Sequence, residues 1–246
     1  MLIRTFVIME DLFSRTRMLF GSEAIERLRG CRVAVFGIGG VGGYATEVLA
    51  RSGVGHLELF DNDQVNVTNI NRQIVALHST IGQYKVDVAA SRIRDINPDC
   101  TVVPHRMFYL PENADEVDLS QFDYVVDCID TVRAKLELVR RCHRMSVPVI
   151  CSMGAANKLD PSGFRVADLS KTSVDPLAKV MRQTLRREGI RHVKVVYSEE
   201  IPSHPIETSS QENERRRSIP ASNAFVPPAA GLVIGGEVVK DLIGLG

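Results

Sequence analysis

Gly37-Ile38-Gly39-Gly40-Val41-Gly42-Gly43 follows directly on the apolar run Val33–Phe36. It leads into Val41, Ala45, Val48 and Leu49, which recur at helical spacing as far as Gly53. Gly37, Gly39 and Gly42 satisfy GxGxxG between a strand and a helix, with Gly40 inside the same turn. Without a Cβ the backbone turns tightly and approaches a phosphate, and the helix N-terminus adds free N–H donors and positive potential. Asp61 closes the next apolar run, Leu57–Phe60, about 20 residues on, where a carboxylate accepts hydrogen bonds from ribose hydroxyls.

Outward from this loop the alternation continues. Val86, Ala89, Ala90 and Ile93 mark a helix that stops before Pro98, and Thr101–Val103 reads as a third strand. Tyr124–Cys128 is a fourth strand, followed by a helix over Ala134–Arg144 and a fifth strand at Pro148–Cys151. Strands alternating with helices predict an α/β fold: a Rossmann-like, doubly wound, mostly parallel sheet whose strand C-termini line one ligand-binding edge. The pattern changes after Gly154. Phe164–Ala167 and Val193–Tyr197 read as further strands, and Pro176–Arg187 as a helix with proline at its start. Residues 200–222 are polar, contain three prolines and Arg215-Arg216-Arg217, and read as a flexible loop. The apolar window Phe225–Leu245 carries Pro227, Pro228, Glu237, Lys240 and Asp241, which predicts an amphipathic helix packed on the body and no membrane span. The expectation is one domain over residues 9–246, with a nucleotide-binding core at 9–154 and a substrate-side extension at 155–246.

The 246 residues carry thirty basic and thirty acidic side chains, so any nucleic-acid contact has to come from a local patch. The five cysteines (Cys31, Cys100, Cys128, Cys142 and Cys151) form no CxxC pair. That argues against a disulfide framework and against structural zinc, and suits a reducing cytoplasm. Met1–Met9 is short, carries Arg4 and lacks a cleavage site, so it does not read as a signal peptide. His78, His105 and His143 lack a metal-ligand spacing.

The residues beyond Asp61 separate a triphosphate from a dinucleotide. Thr68-Asn69-Ile70-Asn71-Arg72-Gln73 and then Lys85 place an Asn, an Arg and a Lys past the ribose acid. Pyrophosphate departure builds negative charge that Arg and Lys stabilise. Asp130, behind the fourth strand, is placed to hold Mg²⁺ against phosphate oxygens. Each has a plainer alternative: Arg72 or Lys85 as a solvated surface charge, and Asp130 as the N-cap of the following helix.

The glycine loop, the run Asp61–Gln73 and Asp127-Cys128-Ile129-Asp130 resemble the ThiF/MoeB/HesA-type, ubiquitin-activating-enzyme-like adenylyltransferase superfamily. The resemblance implies an enzyme that adenylates a carboxylate with ATP and Mg²⁺. It implies that Asp61 binds ribose, that Asn69, Arg72 and Lys85 handle the phosphates, and that Asp130 serves the metal. It also implies a homodimer in which an N-terminal arginine, Arg15 with Arg17 as competitor, reaches the partner's ATP. The resemblance starts near Met9 and leaves Met1–Ile8 as an upstream extension.

Asp168-Leu169-Ser170-Lys171-Thr172, Asp175-Pro176-Leu177-Ala178, Val196-Tyr197-Ser198-Glu199 and Phe225–Gly231 resemble the tRNA threonylcarbamoyladenosine dehydratase branch of that superfamily. This branch implies tRNA carrying threonylcarbamoyladenosine as the substrate and a sulfur-transfer protein as a possible partner. It further implies ring closure by the substrate's own carbamoyl group. The competing expectation is activation of the C-terminus of a ubiquitin-like sulfur carrier, whose enzymes typically carry zinc CxxC pairs and often a downstream Cys. No Cys lies beyond Cys151. Lys179, Arg182 and Arg186 share one helix face at i, i+3 and i+7 and are candidates for RNA contact. Arg187, Arg191, His192, Lys194 and Arg215–Arg217 would extend that surface, and Lys158 is a further candidate for meeting substrate.

Overall fold

The computed structural model describes residues 11–207 and 220–246. Two short helices, α1 (Ser14–Phe20) and α2 (Ser22–Gly30), precede β1 (Arg32–Phe36). Then come α3 (Gly42–Ser52), β2 (His56–Phe60), α4 (Lys85–Ile96), β3 (Thr101–His105), β4 (Tyr124–Asp127), α5 (Val132–Met145) and β5 (Val149–Ser152). The second half contributes β6 (Phe164–Asp168), α6 (Pro176–Arg187), β7 (Lys194–Ser198) and α7 (Val226–Ile243).

All seven strands form one sheet in the order β3-β2-β1-β4-β5-β7-β6. Every pairing is parallel except β6 against β7. The strands of the second half therefore extend the same sheet, with β6 as an antiparallel edge. Strand order reverses at β1/β4, and Phe36 pairs with both Phe60 and Asp127, so the three loops that follow leave the sheet level with one another. Such a switch point opens a crevice between diverging loops, and ligands of doubly wound sheets bind there.

One face of the sheet is covered by α3, α4 and α7 around Val35, Leu49, Leu59, Ile93, Ile234 and Val238. The other is covered by α5 with Leu138 and Cys142, and by α6 with Met181 and Leu185. Helix α7 differs from its expected amphipathic form. Burial runs round much of it, including Pro228, Gly231, Ile234, Gly235, Glu237 and Val238. The cause is close approach to α3: a Cβ at Gly235 would lie 2.6 Å from Val48 Cβ. A helix wedged between a sheet and a second helix needs no polar face. Its charges are paired instead, Lys194 Nζ bonding Glu237 at 2.9 Å and Asp241 at 2.8 Å. Strand boundaries shift by one or two residues from expectation; β3 runs on to His105 because Glu58 accepts from the His105 ring at 2.8 Å.

Candidate active site

The loops behind β1, β2, β4 and β5 enclose a cavity of about 480 Å³. Its first wall is the glycine loop. Gly37 adopts φ +87°, and a Cβ there would lie 2.7 Å from the Cys128 carbonyl oxygen. A Cβ at Gly42 would lie 1.8 Å from the Gly37 carbonyl oxygen. The turn therefore closes only with glycine at these two positions. Helix α3 starts at Gly42 with no side chain capping its first amides, which leaves donors for an anion.

Asp61 is held by that same turn. Its Oδ2 accepts from Ile38 N at 2.7 Å and its Oδ1 from Asp63 N at 2.8 Å. Burial pushes its carboxyl above the usual carboxylate range, against the pull of nearby Lys85. Lys85, the first residue of α4, is 5% exposed and its Nζ rests 2.6 Å from Asp63 Oδ2. Asn69 Oδ1 accepts from Asn66 N at 3.0 Å, which caps the 3₁₀ turn Val67–Asn69 and leaves the amide NH₂ as a donor. Arg72 Nη1 is tethered to Thr68 O at 2.9 Å and Asn71 Oδ1 at 2.8 Å. Burial depresses its pKa, so desolvation makes an anionic partner more valuable to it. Neither Arg72 nor Lys85 is a solvated surface charge.

Asp130 is exposed at the opposite wall, 3.3 Å from the Thr131 hydroxyl. The N-cap of α5 is Thr131, so capping does not account for Asp130. Beneath it lies a pair that the sequence reading did not single out. Asp127 Oδ2 and Lys135 Nζ are 2.9 Å apart and both side chains are fully buried. Lys135 also donates to Ile129 O at 3.1 Å, and Ile129 N donates to Asp127 Oδ1 at 3.1 Å, which fixes the turn that presents Asp130. Burial opposes the charge on Lys135, yet Asp127 holds its pKa above the usual lysine value. The signal was present: an acid inside an apolar strand run calls for a buried cation, and Lys135 lies eight residues on, in the first turn of the next helix.

Phe36, Phe60, Met107, Phe108 and Ile129 make the far end of the cavity apolar, a surface suited to a purine base. Phe36 and Phe60 stack at 4.3 Å, and Phe60 stacks on His105 at 4.2 Å. Gln73, also unassigned by its sequence position, is 7% exposed at the cavity wall; its Oε1 has no protein partner among the described residues. Cys128 lines the cavity too, with burial pushing its thiol up to about 12.

Residues 13–244 match the model of the ThiF family. The chain belongs to the ThiF family. Among curated proteins it is 47% identical over 239 residues to the tRNA threonylcarbamoyladenosine dehydratase of Bacillus subtilis (strain 168), covering 94% of each chain. Among solved structures it resembles the E. coli tRNA N6-threonylcarbamoyladenosine dehydratase TcdA in complex with ATP, with a TM-score of 0.84 at 34% identity over 97% of this chain and 98% of that one. The TcdA complex with AMP gives the same values.

Other candidate residues of this ThiF-family chain stand away from the cavity. Arg15 on α1 is exposed, and its side chain makes no hydrogen bond or ion pair among the described residues, whereas Arg17 is clamped by Asp11 at 2.7 and 3.0 Å. Neither reaches the cavity of its own chain. Lys179 and Arg186 are exposed on α6, but Arg182 is half-buried and bonded to Thr172 through its carbonyl at 2.9 Å and its hydroxyl. Lys194 does not extend the basic surface, because its pairing with Glu237 and Asp241 ties β7 to α7. Lys158 is 2% exposed, with its Nζ 3.1 Å from Ser198 O and 3.4 Å from Asp175, and it does not line the cavity. Met1–Ile8 and Arg215–Arg217 lie outside the described residues. Among the described residues no cluster of three or more His, Cys, Asp or Glu is arranged to hold a metal, and no helix is long and apolar enough to cross a membrane.

Proposed function

We propose that this chain is an ATP-dependent dehydratase that cyclises threonylcarbamoyladenosine in tRNA through an adenylated carboxylate. The observation that carries the reading is the convergence of the glycine turn, Asp61, Asn69, Arg72, Lys85 and Asp130 on one cavity with an apolar end. The near full-length similarity to dehydratases supports the choice of substrate.

In this reading the apolar end takes adenine and Asp61 accepts from the ribose hydroxyls. Arg72 and Lys85 hold the β- and γ-phosphates. The threonyl carboxylate attacks the α-phosphorus, a new carboxylate–phosphorus bond forms, and the bond to pyrophosphate breaks. Charge then accumulates on the leaving oxygens, where Arg72 and Lys85 already stand. Asp130 would hold Mg²⁺, which would supply neutralisation of phosphate charge. The substrate's carbamoyl group next attacks the activated carbonyl carbon, AMP departs, and the net change is loss of water. Intramolecular attack of this kind reaches effective molarities of about 10⁵ M or more, so no enzyme nucleophile is required. The high pKa of Cys128 supports this route over a thioester relay, because little thiolate exists near neutral pH.

The reading extends to one adenylation unit over residues 9–246, a homodimer in which Arg15 serves the neighbouring site, RNA contact by Lys179 and Arg186 with Arg182 in a supporting place, and residence in the cytoplasm. Incubating the protein with ATP, Mg²⁺ and tRNA bearing threonylcarbamoyladenosine, followed by nucleoside mass spectrometry, tests the activity. Product lighter by one water is expected. An unchanged nucleoside together with pyrophosphate exchange driven by a ubiquitin-like sulfur carrier would overturn it.

A further inference from the structure

Arg72 and the segment returning from β7 to α7 meet at one side chain, Asn71. Its Oδ1 accepts from Arg72 Nη1 at 2.8 Å, and its Nδ2 donates to the Ser222 carbonyl at 3.2 Å. The two bonds have opposite sense, so together they determine which end of the amide faces which partner.

The segment that Asn71 touches is anchored on its other side. Ala221 N donates to Asn157 Oδ1 at 2.8 Å and Asn157 N donates to Ala221 O at 2.9 Å. Asn223 donates to Lys158 O at 2.9 Å, and its Oδ1 accepts from Phe225 N at 3.1 Å and Val226 N at 2.8 Å. Asn157 holds φ +58°, a left-handed conformation that Asn tolerates better than most residues, and it also receives Ser203 N at 2.6 Å. The chain then enters α7, where Pro227 packs on the glycine loop; a Cβ at Gly40 would lie 3.1 Å from Pro227 Cβ. Pro220, Ser222 and Pro227 line the same cavity as Arg72. Residues 220–227 thus form a bracket from the β5 loop to the glycine loop, and Asn71 ties it to the arginine.

We propose that Asn71 is a positioning residue that couples occupancy of the phosphate wall to the order of residues 220–225. A phosphate that engages Arg72 stiffens Asn71 and hence the Ser222 carbonyl. A bracket held in place in turn keeps Arg72 aimed at the phosphates, since coupling between two sites is reciprocal. This rests on the nucleotide reading above and not on the identity of the acyl substrate.

The test uses the full chain, ATP with Mg²⁺, amide hydrogen exchange over residues 220–225, and calorimetric ATP titration. In the parent protein saturating ATP should slow exchange in this segment about fivefold or more. Asn71→Ala should weaken ATP binding severalfold and abolish the slowing even at saturation. Asn71→Asp keeps an acceptor for Arg72 but has no donor for Ser222. It should also weaken ATP binding, because it releases the bracket and sets a charge beside the phosphates, and it should show no slowing at saturating ATP. A merely structural role would lower the melting temperature of both variants and leave the slowing at saturating ATP in place. Parental slowing in Asn71→Asp, or its absence in the parent while ATP binds, overturns the proposal. Failure of the parent to bind ATP removes the nucleotide reading and the proposal with it, and the missing heat identifies that case.

Discussion

Lys135 Nζ and Asp127 Oδ2 lie 2.9 Å apart in the core, with neither side chain exposed. Removing one charge strands the other in low dielectric. Lys135→Met should cost about 3–5 kcal/mol in urea unfolding, and a double variant with Asp127→Leu should cost markedly less than the two singles summed. Additive losses would mean that the pair is not coupled.

Arg72 touches the cavity but makes its visible bonds to neighbours in its own turn. Arg72→Ala should lower turnover roughly 10²–10³-fold, on the scale of removing one transition-state donor, while unfolding free energy falls by only about 1 kcal/mol. Arg72→Lys should rescue little, because one ammonium does not reproduce a planar fork. Steady-state kinetics beside thermal melts would check both.

Asp61 trades stability for binding. Burial raises its folded pKa above the ordinary 3.8, so its contribution is fully favourable below that value and is lost as pH rises through the folded pKa. At neutral pH the ionised group is therefore a net cost to the fold. Asp61→Asn should weaken ATP binding and, since Asn offers one acceptor to the two backbone N–H groups that Asp61 receives, lower the melting temperature, by less at pH 7 than after acidification.

Glu47 has the opposite sign. Burial alone would raise its pKa, but hydrogen bonds from Arg92 and Arg51 hold it below the ordinary 4.5. Its stabilisation is present above about 4.5 and is lost as pH falls through the lower folded value. Glu47→Gln, which loosens the α3–α4 tie, should cost on the order of 1 kcal/mol at pH 7 and progressively less below pH 4. Unfolding at a series of pH values would show the convergence.

On α6, Lys179 and Arg186 are exposed while Arg182 is bonded to Thr172. Lys179→Ala with Arg186→Ala should raise KM for tRNA, leave KM for ATP in place, and flatten the salt dependence of tRNA binding by about 0.7 per charge. Arg182→Ala should instead lower thermal stability. A double variant with parental salt dependence would move the RNA surface elsewhere.

The doubly wound sheet, the glycine turn and the acid behind β2 are legible in the sequence, because strand and helix periodicity and a Cβ-free turn are local properties of neighbouring residues. The sequence also marks Asn69, Arg72, Lys85 and Asp130, since each follows a recognisable strand end. Which charges pair with one another is settled by the packing of distant elements. Lys135 answers Asp127, Lys158 answers Asp175 and Lys194 answers Glu237 and Asp241, across 8, 17 and 43–47 residues. No periodicity encodes such pairs; they form because a buried ion is costly until a second one arrives from another element. The same holds for α7, whose prolines, glycines and scattered charges read as an amphipathic surface helix until α3 and the sheet close around it. It holds as well for Asn71, which becomes a bridge only when residue 222 folds back beside it.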